Sequence, residues 1–301
     1  MTLINNFLEK FGNNFSVNVN LSNYSWFNLG GNAEYFYKAE DNNQLLEFLE
    51  ESKKKNLKIT VLGAGSNTLF RDNGVKGVVI KLGKNFSYTK LIEKDVLDVG
   101  AATLDRKVAN FAKDKNLKNL EFLSCIPGSI GGAIIMNSGC YDNDISKVLI
   151  SIKVIDKNNF SEIEIKKKDI KFLYRGTNLS KDFIIISAKL KGSVSKKDLI
   201  EKKQSDLIRK KKLSQPSQIK TCGSTFKNIS DDKKAWMLIK KAGCDHFKEG
   251  DASISQKHCN FFVNNGNATS LDIENLITKV RKKVYEKTGE RLELEIKILG
   301  E

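Results

Sequence analysis

Histidine and proline are nearly absent from this chain: its 301 residues carry two of each, His246, His258, Pro127 and Pro216. So few histidines leave an ordinary serine hydrolase short of the base its nucleophile needs, although a serine follows a glycine in "TCGSTFKN" (221–228). The five cysteines, Cys125, Cys140, Cys222, Cys244 and Cys259, form no CxxC pair and no zinc-like spacing. His258 and Cys259 are adjacent but have no second ligand cluster, so no metal is expected. An odd number of scattered cysteines reads as reduced thiols in a reducing compartment. No stretch approaches the roughly 18 apolar residues a membrane helix needs. The start, "MTLINNFLEKFGNNF", lacks the basic region, apolar core and small-residue cleavage site of a secretory signal. A cytoplasmic protein without membrane partners is the expectation.

What is present points to a globular chain. Hydrophobic residues make up 40% and aromatic residues 9%, enough to exclude disorder, and the length suits two or three packed units. The net charge of +15 raises nucleic acid as a partner. The lysines are spread, however, through "ESKKKN", "IKKKDIK", "VSKKDL" and "RKKKL", several on amphipathic helices where lysine makes a solvated face. No zinc-finger or RNP-like motif accompanies them, so no nucleic-acid partner is expected. A basic pocket for phosphorylated small molecules accounts for the charge equally well.

Periodicity predicts helices at 42–56, 103–116 (with Thr103 as N-cap), 195–212, 231–243 and 269–289. Strands are predicted at 58–67, 74–82, 149–156, 160–167, 183–192, 259–265 and, from strict alternation in "RLELEIKIL", at 291–299. Gly243 is placed to end one helix. Thr269 with Asp272 resembles a capping box, and Gly289 closes that last helix. The order is α+β, with a boundary near 195–215, where the lysine-rich helix reads as a crossing between domains.

Two glycine motifs stand out. "LGAGSN" (62–67) begins with Gly63 and Gly65, but position 68 is threonine and another strand follows quickly, so this is not a Rossmann turn. Gly63, Gly65, Ser66 and Asn67 form either a cradle for phosphate oxygens or an ordinary strand-end turn. "SCIPGSIGGAIIMNSGCYD" (124–142) sets Gly128, Gly131 and Gly132 behind Pro127, with Asn137 and Gly139 beyond. Three glycines in five residues permit close backbone approach, and the apolar run that follows anchors the loop. A pyrophosphate or ring system against this backbone is one reading, and a structural loop is the other.

With these pieces in order, the chain resembles the UDP-N-acetylenolpyruvoylglucosamine reductases (MurB), flavoenzymes of peptidoglycan precursor synthesis. The similarity is collinear through "FNLGG" (27–31), "LGAGSNTLF" (62–70), "IPGSIGGAIIMNSGCYD" (126–142), "YRGTN" (174–178), "GSTFKN" (223–228), "KHCNFFVNNGNAT" (257–269) and "LELEIKILG" (292–300). It implies an FAD-binding pair of α+β subdomains of the vanillyl-alcohol-oxidase type at 1–195, dividing near 83, and a substrate-binding domain at 196–301. It further implies non-covalent FAD, NADPH as hydride donor, a UDP-sugar substrate and a monomer.

By the same resemblance, Gly63, Gly65, Ser66, Asn67, Pro127, Gly128, Ser129, Gly131, Gly132 and Asn137 bind FAD. Tyr174, Lys227 and Asn228 bind substrate, and Arg175, Ser224 and Glu295 are catalytic. Arginine supplies a planar donor fork for developing negative charge, and a serine hydroxyl can protonate a carbanion-like carbon. Glu293 and Glu295 share one face of their segment, so alternation does not choose between them. Only the motif selects Glu295. Trp26, Ala64 and Ile229 depart from the family pattern near the FAD and substrate loops. Two other readings stay open on the sequence: an FAD oxidase of the same fold, and a basic nucleic-acid-binding module.

Overall fold

The computed structural model describes residues 3–301 and divides into two compact units. One comprises residues up to Ser16, Phe36–Ala64 and Val78–Lys211; the other comprises Val17–Tyr35, Gly65–Gly77 and Lys212–Glu301. The division is not sequential, because the first third of the chain contributes to both units. Helices and strands mix throughout, as the α+β expectation requires. Among the described residues no helix is long and apolar enough to cross a membrane.

The first unit is built on a five-stranded antiparallel sheet. Its strands run in the order Glu162–Lys166, Leu149–Asp156, Phe183–Lys191, Val96–Gly100, Thr89–Glu93. The inward residues Ile152, Val154, Ala188, Leu190, Leu97 and Val99 pack with Val108 of the helix Asp105–Asp114 and Ile130 and Ile134 of the helix Ile130–Ile135. A register shift between Lys153 and Val154 explains why the strand Leu149–Asp156 buries neighbouring residues rather than strictly alternating ones. Elsewhere in this unit the strand Ile59–Leu62 pairs in parallel with Val75–Leu82 through Val78–Lys81. The helix Asn42–Lys54 is capped by Asp41, whose carboxylate accepts from Gln44 N at 2.9 Å. An aromatic cluster of Phe7, Phe11, Phe15, Tyr37 and Phe48 joins the helix Leu3–Phe11, which periodicity did not predict, to this part of the unit. Tyr37 and Phe48 are stacked at 3.7 Å.

The second unit places the helices Ala235–Lys241 and Ser270–Thr288 against a three-stranded sheet of Lys248–Glu249, Ala252–Ile254 and Phe262–Asn264. Ile273, Leu276, Ile277, Val280 and Val284 form the buried stripe of the long helix, as their spacing predicts. Thr269 and Asp272 form the expected capping box, and Gly289 closes the helix at φ +74°. Asp72 adds a second anchor, its carboxylate accepting from Ser270 N and Leu271 N at 2.9 Å each. Thr269→Ala is therefore expected to destabilise the protein by about 1 kcal/mol, read as a lower urea midpoint at unchanged slope. An unchanged midpoint would show that Asp72 alone fixes this helix start.

Two local expectations are corrected. Thr103 is not an N-cap: it is buried and donates its hydroxyl to the Tyr88 carbonyl at 2.8 Å, and the helix begins at Asp105 behind Leu104. The alternating segment 291–299 is not one strand. Leu294 bridges Phe226 in antiparallel fashion, whereas Lys297–Leu299 pairs in parallel with Thr68–Phe70. The change of partner and direction interrupts the ladder that alternation suggests.

Candidate active site

In the first unit the second glycine motif is held by backbone pairing on one side. Asp105 N donates to Gly128 O at 3.1 Å, Ile130 N to Thr103 O at 3.0 Å and Gly131 N to Ala101 O at 2.9 Å. This pattern bridges Leu104 to Ser129 and turns the Ser129 N–H away from Leu104. Buried Ile130, Ala133 and Ile134 anchor the short helix that follows, while Pro127 on the loop and Gly132 in the helix's first turn are exposed.

The two glycine motifs meet here. A Cβ on Gly63 would lie 2.9 Å from Ser129 Oγ. Half-buried Lys81, its pKa lowered by desolvation, donates Nζ to Gly63 O at 2.8 Å. A Cβ on Gly128 would fall 2.6 Å from the carboxyl of Asp105. Asp105 is fully buried, neither carboxyl oxygen has a hydrogen-bond partner, and burial pushes its pKa well above the usual carboxylate range. The acid beneath the loop is thus neutral and does not repel phosphate. Side-chain-free backbone, main-chain N–H groups and a serine hydroxyl converge, a donor set that fits the pyrophosphate of a dinucleotide.

The far end of the same motif fixes a hairpin. Asn137 is buried at φ +41°; its Nδ2 donates to Leu173 O at 3.2 Å and its Oδ1 accepts from Ser146 N at 3.1 Å. Leu173 pairs with Gly176, and between them lie Tyr174 and Arg175. Arg175 holds the left-handed φ of +56°, donates Nη2 to Gly139 O at 3.1 Å and lies 4.9 Å from the centroid of the exposed Tyr174 ring. The structure therefore brings Asn137, Tyr174 and Arg175 together.

In the second unit Gly65 adopts φ +69°, and a Cβ there would fall 1.7 Å from Tyr24 O. Its carbonyl accepts from Trp26 N at 3.1 Å. Beside it the buried Cys222 thiol, pushed up to about 11 by burial, donates to Thr68 O at 3.3 Å. Ser66 is half-buried. Asn67 donates Nδ2 to Glu295 O at 3.0 Å and accepts from Lys297 N at 2.9 Å, tying the glycine turn to the segment of Glu295.

Ser224 lies on an adjacent run of backbone. It follows Gly223, at φ +81°, and bridges Phe261. Thr225 N donates to Asn260 O at 2.8 Å, and Glu295 N to Thr225 O at 2.9 Å. The buried Asn260 side chain clamps the same strand, accepting from Phe226 N at 2.9 Å and donating to Phe226 O at 2.8 Å. Sequence reasoning quoted Asn260 within a motif but gave it no role, since only the fold shows what its amide grips.

The two glutamates left unresolved by alternation now differ. Glu293 is exposed and lies 3.6 Å from Lys227 Nζ, whereas Glu295 is half-buried beside Thr225. Asn228 accepts from Ala235 N at 3.0 Å and so holds the start of the helix Ala235–Lys241. Arg175 belongs to one unit, and Ser224 and Glu295 to the other. Two clefts within the units, of about 380 and 360 Å³, are lined by none of these residues.

Comparison with known proteins gives concordant matches. Residues 215–299 match the family model for the UDP-N-acetylenolpyruvoylglucosamine reductase C-terminal domain, and residues 33–159 match an FAD binding domain model. The chain is 45% identical over 298 residues to a UDP-N-acetylenolpyruvoylglucosamine reductase of Pelagibacter ubique, covering 97% of this chain and 98% of the relative. It is 43% identical over 296 residues to the enzyme of that name from Orientia tsutsugamushi, covering 97% of each. It is also similar to the crystal structure of UDP-N-acetylenolpyruvylglucosamine reductase (MurB) from Thermus caldophilus, with a TM-score of 0.81 and 29% identity over 95% of this chain and 98% of that one.

Proposed function

The chain belongs to the UDP-N-acetylenolpyruvoylglucosamine reductase family and is an oxidoreductase with an FAD-binding domain; from that premise we propose the reaction and the role of each residue. The enzyme reduces UDP-N-acetylglucosamine enolpyruvate to UDP-N-acetylmuramate, a step of peptidoglycan precursor synthesis. NADPH is the reductant, and the enzyme acts as a monomer in the cytoplasm. Residues 1–195 serve FAD and residues 196–301 serve the sugar nucleotide. The observation that carries this reading is the convergence of Gly63 with Ser129, together with the grip of Asn137 on the hairpin of Arg175.

When bound, FAD supplies the hydride that the enolpyruvyl group accepts. Gly63, Gly65, Ser66, Asn67, Pro127, Gly128, Ser129, Gly131 and Gly132 would hold it through main-chain donors and small side chains, with Asn137 fixing the loop behind them. Arg175 meets the negative charge that develops on the substrate carboxylate with a planar donor fork. Ser224 delivers its hydroxyl proton to the α-carbon, and Glu295 steadies the same group from its half-buried position. Tyr174, Lys227 and Asn228 orient the sugar nucleotide. Lys227 exchanges its exposed partner Glu293 for a substrate anion, and Asn228 uses the amide nitrogen left over from capping the helix.

The test is the visible spectrum of the purified protein followed by turnover. A yellow protein that oxidises NADPH in proportion to the enolpyruvyl substrate added is the expected result. A protein that cannot take up FAD, or that passes electrons to oxygen while leaving the enolpyruvyl substrate untouched, would overturn the reading.

A further inference from the structure

Cys125 and Cys140 bracket the second glycine motif, and the fold sets them side by side. Cys125 ends the turn Glu121–Cys125, and Cys140 lies in the short strand Gly139–Cys140. The Cys140 sulfur lies 3.4 Å from Phe122 O, which places it over that turn, and its single proton is offered either to that carbonyl or to the Cys125 sulfur. Lys211 donates its ammonium to the Cys125 carbonyl, so that its charge bears on both sulfurs. When that proton is offered to Cys125, the hydrogen bond from Cys140, aided by Ser124 and Lys211, outweighs burial and draws the Cys125 thiol down, while Cys140 is pushed up. Of the two, Cys125 is therefore the thiol that ionises more readily.

We propose that Cys125 and Cys140 are a dithiol that hydrogen peroxide oxidises to a disulfide, stapling the two ends of the glycine loop and shifting the anchor of Arg175. The Cys125 thiolate attacks one peroxide oxygen; the O–O bond breaks, hydroxide leaves and Cys125 becomes a sulfenic acid. Cys140 sulfur then attacks the Cys125 sulfur; the S–O bond breaks and water leaves with the Cys140 proton. The thiols lose the two electrons that the peroxide gains. Cys140 is half-buried, and Cys125 keeps 5% of its surface exposed.

Closure would span Pro127, Gly128, Ser129, Gly131, Gly132 and Asn137 in one covalent loop. It would also pull on Gly139, the neighbour of Cys140, whose carbonyl receives Arg175 Nη2 at 3.1 Å. Control of turnover through this contact rests on the catalytic reading of Arg175 above. The formation of the bond does not.

The experiment treats the reduced full-length protein with hydrogen peroxide, alkylates the remaining thiols and maps the peptides by mass. A linked pair containing Cys125 and Cys140 is expected, lighter by two hydrogens, before Cys222, Cys244 or Cys259 reacts, and reversed by dithiothreitol. Turnover should be lost as the link forms and return on reduction. Cys125→Ser and Cys140→Ser should each abolish the link and keep turnover through the peroxide treatment. Two thiols that stay open to alkylation would overturn the dithiol, and a link that leaves turnover unchanged would overturn its control of Arg175. The mapping needs neither FAD nor substrate, so an inactive protein would count against the reductase reading alone.

Discussion

Ser224→Ala is expected to lower turnover of the enolpyruvyl substrate by roughly 10²–10⁴-fold, the usual span for a lost general acid. Reduction of bound FAD by NADPH should stay near the wild-type rate, since that step requires no proton at the substrate α-carbon. The fold makes the substitution clean. Asn260 clamps Phe226 from both sides, Thr225 N donates to Asn260 O, and Thr225 O accepts from Glu295 N, so the backbone at 224 is held without the serine hydroxyl. Ser224→Cys restores a proton donor, and a thiol is a stronger acid than a hydroxyl. It should recover part of the loss, with a pH profile falling as the thiol ionises. Stopped-flow separation of the two half-reactions decides the matter. Equal loss in both would mean that Ser224 shapes the site rather than donating a proton.

The parts of this protein legible in sequence were those whose causes are local. The helix Ser270–Thr288 shows itself through Thr269, Asp272 and Gly289, because capping is settled within a few residues. The two glycine motifs are visible as composition, but their meeting at Gly63 and Ser129 is a contact between distant parts of the chain that no periodicity encodes. The roles of Asn137 and Asn260 were hidden for a related reason. An asparagine is equally plausible as a turn residue, a ligand or a clamp, and only the acceptors around its amide distinguish these. Alternation extends the strand after Arg291 too far, because it reports which face is apolar and not which strand is the neighbour. The segment changes partner between Leu294 and Lys297. The choice between Glu293 and Glu295 likewise needs the fold, which leaves the first exposed against Lys227 and gives the second a half-buried place beside the segment of Ser224.

Arg175→Lys is expected to reduce turnover by roughly 10²–10³-fold, the cost of removing one preorganised donor from a developing anion. The substitution keeps the charge and adds no new backbone cost, because both residues carry a Cβ at the left-handed φ of +56°. What it removes is the fork. In the wild type Nη2 is committed to Gly139 O while the rest of the planar guanidinium lies over Tyr174. A lysine ammonium is a single point donor and cannot keep the Gly139 contact while meeting the substrate carboxylate with two parallel bonds. The loss should appear in kcat more than in KM, since the interaction strengthens as charge develops. FAD content and its reduction by NADPH should be preserved. Arg175→Gln, which removes the charge, should lose more than the lysine variant. If Arg175→Lys retains wild-type kcat, the residue acts as a simple cation and the fork geometry fixed by Asn137 and Gly139 has no part in the chemistry.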